Sequence, residues 1–314
     1  MPGGGEAASA VAAVAATPSE APVLRAALGT YPHTAALTSG RVASARLRLD
    51  FADVSPVNRA FAPMVREGRF DVCEMAIATF LQAKAYGKPL VLLPVTVAAR
   101  FQEGALLRRA GGDIGGPADL VGRRVGVRAY SQTTGMWLRG ILADDHGVRP
   151  DAVRWVTFED AHVAEVRDPP WAERAPPGRE MLAMLHAGEL DAVIVGNDAP
   201  DDPGLRPVFA DPAAAAEAFW RKHRLVPVNH LVTVRREWAE SRPELIAELL
   251  RLFRDAKASA PPAPEGRDPL PMGRAALRPA IDLAVRYSTE QGLLPRRLSD
   301  EEVWEGLPVD AGTG

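Results

Sequence analysis

Apolar and polar positions alternate along the first third of the chain in a way that predicts strands and helices in turn. Short apolar runs are separated by segments whose apolar residues recur at helical spacing, and a glycine follows several of these segments. This alternation indicates a parallel sheet with right-handed crossover connections. The predicted elements are strand Val23–Gly29, helix Thr34–Gly40, strand Arg46–Phe51, helix Val57–Arg66, strand Phe70–Met75, helix Ala78–Tyr86 and strand Leu90–Val97, the last apolar enough for a central parallel strand.

The same pattern starts again after residue 100. A Gly-rich loop, Gly111–Gly116, precedes further strands and helices, and the last part of the chain contains longer helices around a Pro-rich linker, Ala260–Pro271. The predicted elements are strand Arg124–Arg128, helix Thr133–Asp144, strand Val153–Thr157, helix Arg179–Gly188, strand Leu190–Gly196, the extended segment Val226–Val234, and helices Ser241–Ala258 and Ala275–Gln291.

We therefore predict an α/β protein with two lobes joined by a hinge, in which the second lobe is inserted into the first. The first lobe is discontinuous and consists of residues 23–99 and 226–314, and the second consists of residues 100–225. Two crossings between the lobes, near residues 98–101 and 224–229, form the hinge.

Composition narrows the classes of partner and the location. The net charge is -3, and acidic residues are interspersed with the basic ones, so no basic face for nucleic acid is predicted. No apolar stretch reaches the roughly 20 residues of a membrane span. Cys73 is the only cysteine, which excludes an intramolecular disulfide. Residues 1–22 are predicted to be a flexible tail; since the first basic residue is Arg25, the tail lacks the positive segment of a secretory signal. This favours a cytoplasmic protein, or a periplasmic one if the true start lies upstream and encodes a signal.

The most specific group of polar residues follows the strand Arg124–Arg128 and opens a predicted helix. Ligands of open parallel sheets bind beyond the carboxyl ends of the strands, and a helix N-terminus carries partial positive charge. Hydroxyls, backbone N–H groups and a guanidinium therefore come together as an anion receptor. The alternative is that the hydroxyls only cap the helix. The predicted binding residues here are Arg128, Tyr130, Ser131, Gln132, Thr133 and Thr134.

Other strand ends supply titratable groups and further polar side chains. Three histidines each follow a strand, and Glu74 interrupts an apolar strand, although either residue type at such a position is often structural. The candidate catalytic residues are His33, Glu74, His162 and His230, and the candidate binding residues are Thr30, Tyr31, Asn197, Asp198 and Asn229. Their spacing is not that of metal ligands, so no cofactor is predicted, but a divalent metal held by residues distant in sequence stays an alternative.

Several blocks carry a resemblance to a known family over roughly residues 24–300. The more specific blocks are Phe70-Asp-Val-Cys-Glu-Met-Ala76 and the stretch Tyr130-Ser-Gln-Thr133, whereas Leu120-Val-Gly-Arg-Arg-Val-Gly126 is common among solute-binding proteins. Together they resemble the 4,5-dihydroxyphthalate decarboxylase family. The resemblance implies the type II periplasmic-binding-protein-like fold, related to the substrate-binding proteins of ABC transporters. It also implies a small anionic aromatic substrate.

The implied reaction has definite chemical needs. An aryl carboxylate loses CO2 once an acid protonates the carbon that bears it, and a ring hydroxyl para to that carbon supplies electrons. Arg128 and the neighbouring hydroxyls would bind the second carboxylate, one histidine would be the acid, and Glu74 would polarise the phenol. Two other readings stay open: a non-catalytic solute-binding protein for a small carboxylate or sulfonate, and another enzyme, such as a dehydratase of a cyclic carboxylate. The oligomeric state is also open, a homo-oligomer included.

Overall fold

The computed structural model describes residues 21–196, 200–262 and 267–309. The predicted tail, residues 1–22, lies almost wholly outside them, as does part of the linker Ala260–Pro271. The strands are β1 (Val23–Ala27), β2 (Arg48–Phe51), β3 (Val72–Ala76), β4 (Leu90–Ala99), β5 (Leu106–Arg109), β6 (Arg124–Val127), β7 (Arg154–Thr157), β8 (Ala172–Arg174), β9 (Ala192–Ile194), β10 (Leu205–Pro207) and β11 (Val228–Arg235). The helices are α1 (Ala35–Thr38), α2 (Phe61–Glu67), α3 (Ile77–Ala85), α4 (Thr133–His146), α5 (Met181–His186), α6 (Pro212–His223), α7 (Arg236–Ser241), α8 (Pro243–Ala258), α9 (Arg274–Glu290) and α10 (Asp300–Trp304).

The first sheet has the strand order β2-β1-β3-β11-β4, and we call the part of the chain around it lobe 1. Its first three strands are parallel, as predicted, but β11 returns from late in the chain and runs antiparallel to both β3 and β4. The prediction that Leu90–Val97 is a central parallel strand is therefore wrong. β4 lies at the sheet edge, and its apolar run is explained by cores on both faces, to which its side chains contribute alternately.

The second sheet has the order β10-β5-β9-β6-β7-β8, and we call the part around it lobe 2. Strands β9, β6, β7 and β8 are parallel, whereas β5 is antiparallel to its two neighbours. Strands β5, β8 and β10 were not predicted, because each has three or four residues and includes exposed or charged positions. Helices α6, α7 and α10 were also not predicted.

Two short crossings connect the lobes, and helix α9 makes a third contact between them. The crossings run side by side, since Arg100 N–H donates to the carbonyl of Pro227 at 3.0 Å. Helix α9 contacts α3 of lobe 1 and also packs along α4 of lobe 2. At this second contact the rings of Trp137 and Tyr287 meet edge to face, 5.8 Å apart, and a Cβ on Gly140 would overlap the Tyr287 ring. The lobes are therefore held by more than the hinge.

Among the described residues, no helix combines the length and the apolar character that crossing a bilayer requires.

Candidate active site

A cavity of about 1580 Å³ lies between the two sheets, where the strands of both lobes deliver their polar residues. Most of the residues that were predicted for the site line this cavity. The predicted site residues that line the cavity are Thr30, Tyr31, His33, Arg128, Ser131, Gln132, Thr133, Thr134, His162, Asn229 and His230.

A buried carboxylate and a histidine form the central pair of the site. Glu74, on β3, is fully buried, and its Oε1 accepts a hydrogen bond from His230 Nδ1 at 2.6 Å. The pairing follows from the sheet, because β11 runs antiparallel beside β3 and brings His230 opposite Ala76. Since Nδ1 is engaged, Nε2 is the ring nitrogen that His230 presents to the cavity. A carboxylate that fixes one imidazole nitrogen orients the other for proton transfer.

Two further donors complete the shell around Glu74. The Tyr31 hydroxyl donates to Oε1 at 2.7 Å, and the Gly29 N–H donates to Oε2 at 2.9 Å. Burial by itself would raise the pKa of Glu74, but the bond from His230 and these two donors outweigh it and lower the pKa. Glu74 is therefore ionised. Burial and the neighbouring carboxylate raise the pKa of Tyr31, which keeps its proton and stays a donor.

His33 lies beside this cluster with its proton position decided by the backbone. Its Nε2 is 2.9 Å from the carbonyl oxygen of Val97, and because a carbonyl can only accept, Nε2 carries the proton. The ring stacks on Tyr31 with centroids 5.4 Å apart. Burial lowers the pKa of His33, so the imidazole is neutral near neutral pH.

His162 comes from lobe 2 but is held against lobe 1. Its Nδ1 shares a hydrogen bond with Thr79 Oγ1 at 2.7 Å, and Arg66 donates to the backbone carbonyls of Ala161 and His162 at 2.8 and 2.7 Å. Burial first, and then the positive charges of Arg128 and Arg66, lower the pKa of His162 to about 4. A neutral imidazole from one lobe thus meets the Glu74–His230 pair of the other.

The ring of Phe61 lies between the two imidazoles on one wall of the cavity. It contacts His162 at 5.7 Å and His230 at 5.2 Å between centroids, edge to face in both cases. Such contacts fix the ring planes of both histidines and present an apolar surface to an aromatic ligand. In the sequence, Phe61 lies within the predicted helix Val57–Arg66 and was given no role in the site.

The opposite wall is the first turn of α4, and it has the features of an anion receptor. The first N–H groups of a helix have no intrahelical acceptor, and at the start of α4, at Thr133, no side chain caps them. Ser131, Thr133 and Thr134 are buried at this turn, and Arg128 stands at its edge with one bond to Glu159 at 3.2 Å. The helix does not use the capping alternative: Thr133 Oγ1 accepts from the Ala78 N–H at 3.4 Å instead, so the hydroxyl protons and the first N–H groups of the helix can donate to a ligand.

Arg100 is a second cation of this wall that the sequence analysis missed. It follows the last residue of β4, and its Nη2 donates to Thr134 Oγ1 at 3.1 Å. A signal was present, since a basic residue directly follows β4, which is ten residues long and largely apolar. It was overlooked because the predicted strand stopped at residue 97.

Not every predicted residue faces the cavity. Tyr130 is almost fully buried under the receptor loop, where its hydroxyl donates to the Gln291 carbonyl at 3.1 Å and accepts from Trp171 at 2.8 Å. The prediction that Tyr130 contacts the substrate is therefore wrong, and Tyr130 packs in the core beneath the cavity instead. Glu74 lies behind His230 and does not line the cavity, so it does not reach a phenol of the substrate. Asn197 and Asp198 lie outside the described residues. Among the described residues, no three His, Cys, Asp or Glu side chains are grouped as a metal site requires.

Comparison with known proteins decides the family. The chain is 29% identical over 252 residues to a 4,5-dihydroxyphthalate decarboxylase of Comamonas testosteroni. This alignment covers 76% of the chain and 73% of that protein. It is 30% identical over 212 residues to a protein of the same name in Pseudomonas putida, covering 62% of this chain and 80% of the relative. The chain belongs to the 4,5-dihydroxyphthalate decarboxylase family. The predicted resemblance is thereby confirmed.

The fold of this family member is that of periplasmic binding proteins. A family model described as NMT1/THI5 like matches residues 48–167. The periplasmic aliphatic sulphonate binding protein SsuA of Escherichia coli superposes with a TM-score of 0.60 over 92% of both chains at 16% identity. The alkanesulfonate-binding protein SsuA of Xanthomonas axonopodis pv. citri, bound to MOPS, superposes with a TM-score of 0.56 at 16% identity. This superposition covers 90% of this chain and 97% of that one. The predicted two-lobed, periplasmic-binding-protein-like fold is confirmed.

Proposed function

We propose that the protein is a decarboxylase that acts on a small hydroxylated aromatic carboxylate, such as 4,5-dihydroxyphthalate, bound between the lobes. The curated relatives named for this reaction support the proposal. The observation that carries it is the Glu74–His230 pair, which presents one imidazole nitrogen to a cavity whose opposite wall is built for an anion.

The substrate is bound by the wall of the cavity that the first turn of α4 forms with Arg128 and Arg100. The carboxylate that is retained lies at the first turn of α4, where the N–H groups, the hydroxyls of Thr133 and Thr134, and Arg128 and Arg100 offer hydrogen bonds and positive charge. The ring then lies along Phe61, and the carboxylate that departs faces His230. Glu74 acts as a positioning residue that holds the imidazole rather than as a partner of the phenol.

The reaction needs one proton and releases one CO2. His230, protonated and held by Glu74, transfers the proton on Nε2 to the ring carbon that bears the departing carboxylate, and the hydroxyl para to that carbon supplies electron density to the ring. The bond to the carboxylate then breaks, CO2 leaves, and the bonding electrons restore the aromatic ring. Solvent returns a proton to His230. Neutral His162 and His33 are suited to hydrogen-bond the ring hydroxyls, while His230 acts as the general acid.

The test is the fate of 4,5-dihydroxyphthalate incubated with the purified protein. We expect CO2 release and, in D2O, one deuterium in the product at the vacated ring carbon. His230→Gln is expected to abolish turnover, whereas His186→Gln, a surface histidine paired with Asp202, serves as the matched control. Tight binding without CO2 release would overturn the proposal and favour a solute receptor. A cytoplasmic location, a role in aromatic catabolism and any homo-oligomeric state stay predictions for fractionation, growth tests and gel filtration.

A further inference from the structure

A buried glutamine joins the two crossings between the lobes. Gln102 is fully buried, and its side-chain nitrogen donates to the Arg100 carbonyl at 2.8 Å and to Asn229 Oδ1 at 2.8 Å. Arg100 belongs to the first crossing and Asn229 follows the second. One amide group therefore connects the two segments that also carry cavity residues.

The orientation of this amide is decided by the Arg100 carbonyl. A backbone carbonyl only accepts, so the side-chain nitrogen of Gln102, and not its oxygen, must face it. The same nitrogen then supplies its second proton to Asn229. The Gln102 Oε1 is buried without a hydrogen-bond partner among the described residues. A reversed amide would set this oxygen against the Arg100 carbonyl oxygen, and the observed orientation avoids that repulsion.

The orientation of the Gln102 amide also fixes the orientation of the Asn229 amide. Because Asn229 Oδ1 accepts from Gln102, Asn229 Nδ2 points away from Gln102. Asn229 lines the cavity next to His230. Within the described ranges, Nδ2 makes no hydrogen bond and is not among the buried polar atoms lacking partners, so it keeps access to the cavity.

We propose that Gln102 is a positioning residue of the site: it turns the Asn229 amide so that Nδ2 donates a hydrogen bond to an acceptor oxygen of the bound ligand. The proposal rests on the function proposed above for its ligand, but its own content is the direction of one hydrogen bond. Without Gln102, the Asn229 amide is free to turn and can present its oxygen, which repels a carboxylate.

The experiment is a double-mutant cycle on binding, with Gln102→Met and Asn229→Ala. Binding of 4,5-dihydroxyphthalate is titrated by calorimetry in a His230→Gln background, so that turnover is not needed. Each substitution alone is expected to raise Kd about tenfold, as the loss of one hydrogen bond to an anion does. Since Gln102 acts through Asn229, the double variant is also expected near tenfold rather than near a hundredfold.

The matched control is Gln82→Met. Gln82 is likewise fully buried and likewise leaves Oε1 unpartnered in the described part of the chain, but it donates to the Leu293 carbonyl at 3.3 Å away from the cavity. Its substitution is expected to leave Kd unchanged, and thermal melts establish that all variants fold. Additive losses in the cycle, or an unchanged Kd in folded Gln102→Met, would overturn the proposal. If the losses in the cycle are not additive but the wild type releases no CO2, only the proposed function would be overturned.

Discussion

Replacing Glu74 with Gln removes one charge from the centre of the site and reverses the direction of the hydrogen bond with His230. The carboxylate accepts from three donors: His230, Tyr31 and the Gly29 N–H. A glutamine has one oxygen and one NH2 group, and the Gly29 N–H, which cannot turn, requires the oxygen. The NH2 group then faces His230 Nδ1, so the imidazole must accept there. His230 is thereby held as the neutral form, and the imidazolium that the proposed reaction needs becomes unfavourable.

The size of the effect follows from the bond that is lost. Hydrogen bonds to charged groups contribute about 1.5–3 kcal/mol, and each 1.36 kcal/mol corresponds to a tenfold change in rate. The distance of 2.6 Å between His230 Nδ1 and Glu74 Oε1, together with the complete burial of Glu74, places this bond among the strong ones. We therefore expect Glu74→Gln to lower kcat by about ten- to a hundredfold, with a smaller change in KM.

The assay is steady-state CO2 release from 4,5-dihydroxyphthalate at neutral pH, with binding followed separately by calorimetry. Glu248→Gln is the matched control, because Glu248 lies on α8, pairs with Arg251, and is not part of the cavity lining. Full turnover by a folded Glu74→Gln protein would refute the role assigned to the pair.

Three further predictions test other parts of the argument. Arg128→Met is expected to raise KM about tenfold with little change in kcat, since it removes a bond made equally before and during the reaction; steady-state kinetics measures this. The pKa of His162 is about 4 in the folded protein, whereas an imidazole in the unfolded chain has its ordinary pKa of 6.5. Between these two pH values the unfolded chain binds a proton that the folded chain does not. Stability therefore falls as the pH decreases through this window, by up to about 3 kcal/mol, and His162→Gln should weaken the fall in urea unfolding at pH 7 and pH 4.5. Gly140→Ala should lower the unfolding free energy by about 1–3 kcal/mol despite the better helix propensity of alanine, because its Cβ overlaps the Tyr287 ring; loss of stability on urea titration checks this.

Much of the cavity lining was predictable because ligands of open parallel sheets bind beyond the carboxyl ends of the strands. Residues such as His33 and Arg128 follow apolar strands whose ends are visible as hydrophobic runs, and parallel strands end at one edge of a sheet. His230, which was predicted to follow a strand, instead lies inside β11, whose antiparallel direction brings its first residues to the same edge. The elements with clear hydrophobic runs, such as β1, β4 and β6, were predictable for the same reason, whereas the short strands β5, β8 and β10 were not. Family resemblance supplied the reaction class, which no pattern of spacing contains.

Other features were not predictable because they depend on pairing between distant segments. The position of β11 between β3 and β4 decides both the edge position of β4 and the contact of Glu74 with His230. Sequence periodicity shows that a strand is buried but not which strand lies beside it. Likewise, Tyr130 lies among polar residues in the sequence, and its partners come from distant segments: Arg139 lies over its ring at 3.9 Å, and its hydroxyl bonds to Trp171.

Helix α9 has a consequence for how a ligand is selected. In a clamp with two flexible crossings, binding draws the lobes together, and part of the interaction free energy is spent on that movement. Here Tyr287 lies against α4 while other residues of the same helix contact α3, so widening the cleft would expose apolar surface that is now buried. The contact therefore opposes widening of the cleft, and it favours ligands that fit the present width over ligands that need a wider one.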